Sequence, residues 1–339
     1  MKVLGLMIAA VVLVGGIFLY NVFYGANDFG EGERKVFIVS KGEEWHQIVD
    51  SLEAKGIIRN RTWFEWVVRI AGRGTHTQVG KYEFPSGISN MELYNSLRLG
   101  KNIFPILVTL REGRRAVSFS RAFARMLGID TLRFMNLVQD ESFARSLGVE
   151  AGNLEGYLAP NTYSFNWQAD EAEIIKRLVK QTEAIFDDTL RRRAQELKMS
   201  VHEVLTLASI IEGEALIEDE RPLISGVYHN RLRKGMKLQA DPTIQFIIPD
   251  GPRRILFRDL AIQSPYNTYM HDGLPPGPIN NPSVASIRAA LYPAHHEYLF
   301  FVANGKGGHW FSTSYAGHMN YVRRFRRERA EQIKNQEIG

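Results

Sequence analysis

From Val3 to Asn27 the chain carries no charged residue, and the apolar run from Val3 to Tyr24 has the ~20 residues a helix needs to cross a hydrocarbon core. No other stretch narrows the fold so far, because a helix without a polar face has no stable place in water. Tyr20, Phe23 and Tyr24 stand at one end, as an interfacial aromatic belt would. A cleaved leader has a shorter apolar region and a small-x-small site, which Tyr24-Gly25-Ala26 matches poorly. The expectation is an uncleaved single transmembrane helix over 1–27. Lys2 and the amino terminus are the only cations ahead of it, so the terminus stays inside and the body lies outside.

Behind the span, 45% hydrophobic and 23% charged residues are enough for a large core. The absence of cysteine excludes disulfides and thiolate metal sites. A net charge of +5 tolerates an anionic polymer or membrane surface, but no basic stripe or module points to nucleic acid. The patterning predicts an α+β protein. Residues 28–35 (DFGEGERK) read as a linker. A strand at Phe37–Val39, a helix with Trp45, Ile48, Val49 and Leu52 on one face, a helix opened by a Thr62–Glu65 capping box, and a strand at Gly80–Phe84 form a small α+β module within 36–110. That region also holds a Ser89–Glu92 capping box and a strand over Ile103–Leu110. Short helices in 111–150 form a connector, and 151–339 forms a mixed α/β domain. In that domain a Ser200–Glu203 capping box launches a buried helix, and Tyr298–Ala303 pairs with His309–Ser312 in a hairpin whose first strand is buried.

Chemistry concentrates between Leu205 and Thr243. The apolar helix runs into Glu212-Gly213-Glu214. If Gly213 ends it, Glu214 sits at the carbonyl end, where the helix dipole and burial both disfavour a negative charge and raise the carboxyl pKa toward that of a general acid. Glu212 competes from another face, and both could equally be exposed helix-end carboxylates. Asn230 and Arg231, near the end of the next helix, suit an acetamido or hydroxyl group or the helix's own last carbonyls. A polar turn follows at Gln239-Ala240-Asp241-Pro242-Thr243. Tyr266-Asn267-Thr268-Tyr269 and the stiff loop Gly273-Leu274-Pro275-Pro276-Gly277-Pro278-Ile279 read as cleft walls. Aromatic rings with amides and hydroxyls suit a sugar, though the same residues also build ordinary cores. His202-Glu203 lacks the second histidine of a zinc site because position 206 is Thr, and no nucleophile elbow or phosphate loop is present. No metal and no cofactor is expected.

The ordered string Ala208–Glu214, Glu220-Arg221-Pro222, Asn230-Arg231-Leu232, Leu238–Thr243, Tyr266–Tyr269 and Gly273–Ile279 resembles the endolytic murein transglycosylases of the MltG/YceG type. Glu155–Tyr163 is similar to their EGFLFPDTY-like segment. The resemblance implies a LysM-like module followed by a catalytic domain, at the periplasmic face of the inner (cytoplasmic) membrane. It implies cleavage of the MurNAc–GlcNAc β-1,4 bond without water, leaving 1,6-anhydro-MurNAc ends and limiting the length of nascent strands. The implied partners are peptidoglycan glycan strands, the membrane and peptidoglycan synthases. The catalytic acid falls on Glu214, the second carboxylate of the family's ExE motif. Candidate substrate contacts are Glu155, Tyr163, Asn230, Arg231, Gln239, Asp241, Thr243, Tyr266, Asn267, Thr268 and Tyr269. Gly213 stands where a Lys is usual, and Asn161 where an Asp is usual. Two alternatives stay open. One is a hydrolytic muramidase using Asp241 or Glu155 as a second carboxylate. The other is a membrane-anchored peptidoglycan-binding scaffold without turnover.

Overall fold

The computed structural model describes residues 2–72, 76–249, 251 and 253–338. It is a mixed α+β chain of two compact units. The first comprises Met1–Val108, Ala124–Ile129 and Ser164–Asp170; the second comprises Thr109–Phe123, Asp130–Tyr163 and Glu171–Gly339.

The first unit starts with α1 (Lys2–Tyr24), which is long and apolar enough to cross a membrane and leaves its apolar side chains exposed over most of its length. Its last turns join the unit's core. Phe18 meets the Trp63 ring edge-on at 5.8 Å, Val22 is fully buried, and the Val22 carbonyl accepts a 2.8 Å bond from the Asn90 amide. Strand β1 (Arg34–Val39) pairs antiparallel with β2 (Gly80–Pro85), Arg34 opposite Pro85 and Val39 opposite Gly80. Two of the residues read as linker, Arg34 and Lys35, therefore belong to a strand. Between the strands lie α2 (Trp45–Ala54) and α3 (Arg61–Ala71). Period-two burial of Phe37 and Val39, and of Tyr82 and Phe84, meets the helical stripe Ile48, Val49 and Leu52, and these residues make one core with Phe64 and Val67. The Thr62–Glu65 box does not open α3. Asn60 does, its side chain accepting the Trp63 N–H at 3.1 Å, while Glu65 pairs with Arg61 one turn away. The Ser89–Glu92 box does cap α4 (Asn90–Leu99).

The second unit is built around α5 (Val201–Glu214). Its Ser200–Glu203 capping box is reciprocal, as expected, and every residue from Val204 to Ile211 is buried. Such a helix must be covered on all sides. Helix α6 (Arg221–Arg233) and helix α8 (Val284–Leu291) pack along it, and the short helix α7 (Asp241–Ile247) meets its end. Helix α7 corrects the reading of 239–243 as a plain turn: Pro242 supplies a preset φ and lacks only a donor that the first turn does not use. Hydroxyl Ser209, fully buried on α5, accepts the Ile279 N–H at 3.0 Å, and the Asn280 amide bonds the Ser209 carbonyl at 2.8 Å. These bonds pin the end of the Pro-rich loop to mid-helix. Strand β3 (Phe300–Ala303) is shorter than expected and half-buried; it pairs with β4 (His309–Ser312), Phe300 opposite Ser312. Helix α9 (Tyr315–Ile338) closes the chain. Two further helices, Glu141–Ser146 and Asp188–Glu196, were not expected. Each starts on an aspartate N-cap, Asp140 and Asp187, and each buries too few apolar residues to show a periodic stripe.

Candidate active site

Glu214 is the last residue of α5, where the Ala215 N–H closes the helix onto the Ile211 carbonyl at 3.0 Å. Burial raises its carboxyl from 4.5 to about 7. The Tyr228 hydroxyl donates a 2.8 Å bond to Oε1 and opposes that rise, the Asp241 carboxylate adds to it, and the Arg231 guanidinium opposes it again. The carboxyl is nonetheless partly exposed, because it opens onto two cavities. One, of about 920 Å³, is lined by Arg114, Arg115, Arg121 and Arg254 together with Gly213, Asp241, Pro242 and Phe246. The other, of about 460 Å³, is lined by Arg231, Gln239, Asp241, Tyr269, Phe300, Phe301, His309, Tyr315 and His318. Glu214 and Asp241 belong to both. Asp241 opens α7, and it accepts the Tyr269 hydroxyl at 2.5 Å. Burial, reinforced by Asp241, pushes the Tyr269 phenol far up, so this hydroxyl stays a donor.

Glu212 is a different kind of carboxylate. Its side chain is 8% exposed, and Oε2 accepts from Ser283 Oγ at 2.5 Å, Ser286 Oγ at 2.7 Å and the Ser283 N–H at 3.1 Å. Oε1 faces Arg221 at 3.5 Å. These contacts hold the start of α8 and Arg221 in place. A group so bonded anchors the fold.

The other predicted residues divide. Asp241, Gln239, Tyr269 and Arg231 surround the Glu214 carboxyl in the cavities described. Gln239 is exposed and holds φ +48°, a conformation that costs a non-glycine residue on the order of 1 kcal/mol or more and recurs where a backbone is forced into a functional shape. Arg231 is partly committed: Nε donates to the Leu299 carbonyl at 2.6 Å and Nη1 to that of Leu238 at 2.7 Å. Asn230 is fully committed, its amide donating to the His296 and Tyr298 carbonyls at 2.8 and 3.0 Å. Thr243, Asn267, Thr268 and Tyr163 are buried, so the expectation of direct contact needs correcting for them. Thr243 and Thr268 share a 2.9 Å hydroxyl bond, Asn267 braces the Leu260 and Ile262 carbonyls, and the Tyr163 hydroxyl donates to Ala159. They shape the site from behind. Tyr266 packs against Phe246, ring centres 4.8 Å apart and planes tilted by 43°, behind the cavity wall. Glu155 accepts from the Ala116 N–H and the Asn281 amide at 2.9 and 3.0 Å; burial carries its carboxyl to about 7, but it lines neither cavity.

The Pro-rich loop was expected to wall the site and mostly does not. Gly273, Leu274, Pro275 and Pro276 line a separate cavity of about 850 Å³, and Ile279 alone of that loop reaches the Glu214 side. His202 clamps the loop, its Nε2 bonded to the Pro276 carbonyl at 2.8 Å. Gly213 has a steric reason: a Cβ there would lie 2.6 Å from Pro242 Cβ. Asn161 folds onto its own backbone, accepting the Thr162 N–H at 2.7 Å. Sequence patterning does not single out Tyr228, which falls on the core face of α6 with Ile224 and Val227, nor the four arginines. A hydroxyl on an otherwise apolar helix face is the signal that would have found the first.

A carboxyl that burial raises to about 7, set where an arginine-lined and an aromatic-lined cavity meet, is an arrangement able to exchange a proton with a bound polar chain near neutral pH. The YceG-like family model matches residues 37–324, and the chain belongs to that family. It is 32% identical to an endolytic murein transglycosylase of Bacillus subtilis (strain 168), over 90% of this chain and 89% of that one. It is 28% identical to an endolytic murein transglycosylase of Streptococcus pneumoniae (strain D39), over 88% of this chain but only 60% of that relative's length. A crystal structure of a yceG-like protein from Listeria monocytogenes superposes with a TM-score of 0.59 at 31% identity, covering 86% of this chain and 99% of that one.

Proposed function

We propose that this chain is a membrane-anchored endolytic lytic transglycosylase that cleaves MurNAc–GlcNAc β-1,4 bonds within peptidoglycan strands. The observation that carries the reading is Glu214 itself, its carboxyl raised by burial to about 7 and placed where a strand can pass on both sides. The Glu214 carboxyl gives its proton to the glycosidic oxygen as the bond to C1 breaks. The resulting carboxylate, steadied by the Tyr228 hydroxyl, then takes the proton of the C6 hydroxyl as O6 closes on C1. One bond breaks, one forms, and the proton returns to the enzyme, so no water enters and one carboxyl serves twice. The exposed Asp241 carboxylate lies on the same two cavities and stabilises positive charge developing at C1.

Helix α1 anchors the chain with its amino terminus inside and the second unit outside the cytoplasmic membrane, on the grounds of its apolar length and the Lys2 flank. The β1-α2-α3-β2 order supports a LysM-like, glycan-holding role for residues 36–110, with catalysis assigned to 151–339 aided by the arginines of 114–121. Proximity to peptidoglycan synthases and control of strand length complete the proposal. The test is a digest of purified sacculi with end-group analysis by mass spectrometry. Wild type should release anhydro-MurNAc ends and Glu214→Gln should not. Reducible MurNAc ends would replace the reading with a hydrolytic muramidase, and equal trace release by both proteins would leave a scaffold.

A further inference from the structure

The cavity onto which Glu214 opens is also lined by Arg114, Arg115, Arg121 and Arg254, and among the described residues the only carboxylates lining it are Glu214 and Asp241. None of the four guanidiniums has an ion-pair partner among the described residues, whereas neighbouring Arg253 is held by Asp259 at 2.7 Å. Arg114, Arg115, Arg121 and Arg254 are all exposed. The backbone beneath two of them, Arg114 and Arg115, is fixed. Gly113 N–H donates to the Asn281 carbonyl at 2.9 Å, Asn281 N–H to the Arg114 carbonyl at 3.1 Å, and the Ala116 N–H to Glu155 at 2.9 Å. The Arg115 guanidinium lies 4.3 Å from the Phe246 ring centre, and Phe246 rests on Tyr266. A solvated surface mixes both signs of charge. One sign gathered in a cleft focuses the field on an anion.

The sugar backbone of peptidoglycan is uncharged and needs no guanidinium. Its carboxylates hang from the lactyl ether of MurNAc, either on the peptide stem or, once the stem is removed, on the lactyl group itself. We propose that the arginine-lined arm of the Glu214 cleft is a subsite for these carboxylates. The aromatic arm opposite would read sugar rings, and the pair would orient a strand across Glu214. This inference rests on the transglycosylase reading and specifies which strands the site prefers.

The full-length chain in detergent is assayed on three strand preparations of equal length. The first bears peptides, the second bears the same peptides with their carboxylates capped as methylamides, and the third has been stripped by an amidase. Release of anhydro ends gives kcat/KM. Because each exposed ion pair changes affinity by up to ~5-fold, capping should lower wild-type kcat/KM about tenfold, and the preference should fade in about 0.5 M salt. The combined variant Arg114→Gln, Arg121→Gln, Arg254→Gln should lose the preference for uncapped over capped strands. Arg115 is left in place because it packs on Phe246. Given a loss on capping, stripped strands cleaved like peptide-bearing ones would show that the subsite also takes the lactyl carboxylate; stripped strands cleaved like capped ones would confine it to the stem carboxylates. Equal wild-type cleavage of capped and uncapped strands, or full preference in the variant, overturns the subsite. Failure of the underlying reading looks different: wild type would then release anhydro ends from none of the three.

Discussion

Replacing Glu214 by Gln isolates what the fold gives up to keep an acid at this position. Burial carries the Glu214 carboxyl from 4.5 to about 7. Between those values the folded chain binds more proton than the unfolded chain, so stability falls as pH rises through that window. This penalty is nearly absent at pH 4 and complete by pH 8. Its size is ~3 kcal/mol, from about 1.36 kcal/mol per pKa unit. Glutamine keeps the shape and still accepts the Tyr228 hydroxyl bond, but it has no proton to lose. Glu214→Gln should therefore nearly match wild type at pH 4 and be more stable by ~3 kcal/mol at pH 8. At roughly 2 °C per kcal/mol for a chain of this size, that is a Tm about 6 °C higher. Thermal unfolding of the detergent-solubilised full chain at both pH values measures it. Taking the variant-minus-wild-type difference cancels the other titrating groups, including Glu155, whose carboxyl burial also carries to about 7. A difference that stays flat with pH, or grows toward acid, would mean that Glu214 titrates like a solvated carboxylate, and the general-acid argument would lose its physical basis.

Tyr228→Phe removes a bond that favours the ionised form of Glu214, so the alkaline limb of the kcat/KM–pH profile should move up by about one unit; an unmoved or lowered limb would show that Tyr228 does not set this acid. Glu212→Ala strands Arg221, Ser283 and Ser286 in a buried setting and should cost ~3 kcal/mol in urea unfolding; a variant as stable as wild type yet inactive would transfer the acid role to Glu212. Gly213→Ala drives a methyl to 2.6 Å from Pro242 Cβ and should lose ~1–3 kcal/mol, with a smaller loss when the same change is made in a Pro242→Gly background, which lacks that Cβ; equal loss in the two backgrounds would refute the clash with Pro242.

Local signals in the sequence settled much of this molecule. The Val3–Tyr24 run, the capping boxes at Ser89 and Ser200, and the β1-α2-α3-β2 order depend on residues within a turn or two of each other, and the structure has them where the periodicity put them. Where the local signal was thin, as with the helix Asp188–Glu196 that buries only Leu190 and Ala194, the element went unread. The competing boxes at the start of α3 show the same limit, since Asn60 and Thr62 are both good caps and only the packed helix chose between them. Periodicity also placed Glu212 and Glu214 on different faces of one helix end. It could not say which was the acid, because a carboxyl's proton affinity is set by what surrounds it in space. Ser283 and Ser286, some seventy residues on, absorb Glu212, while Tyr228, Asp241 and two cavities meet at Glu214. Burial and charge proximity sum over the whole fold, so the tertiary structure decided which carboxylate is absorbed as an anchor and which is left open to two cavities.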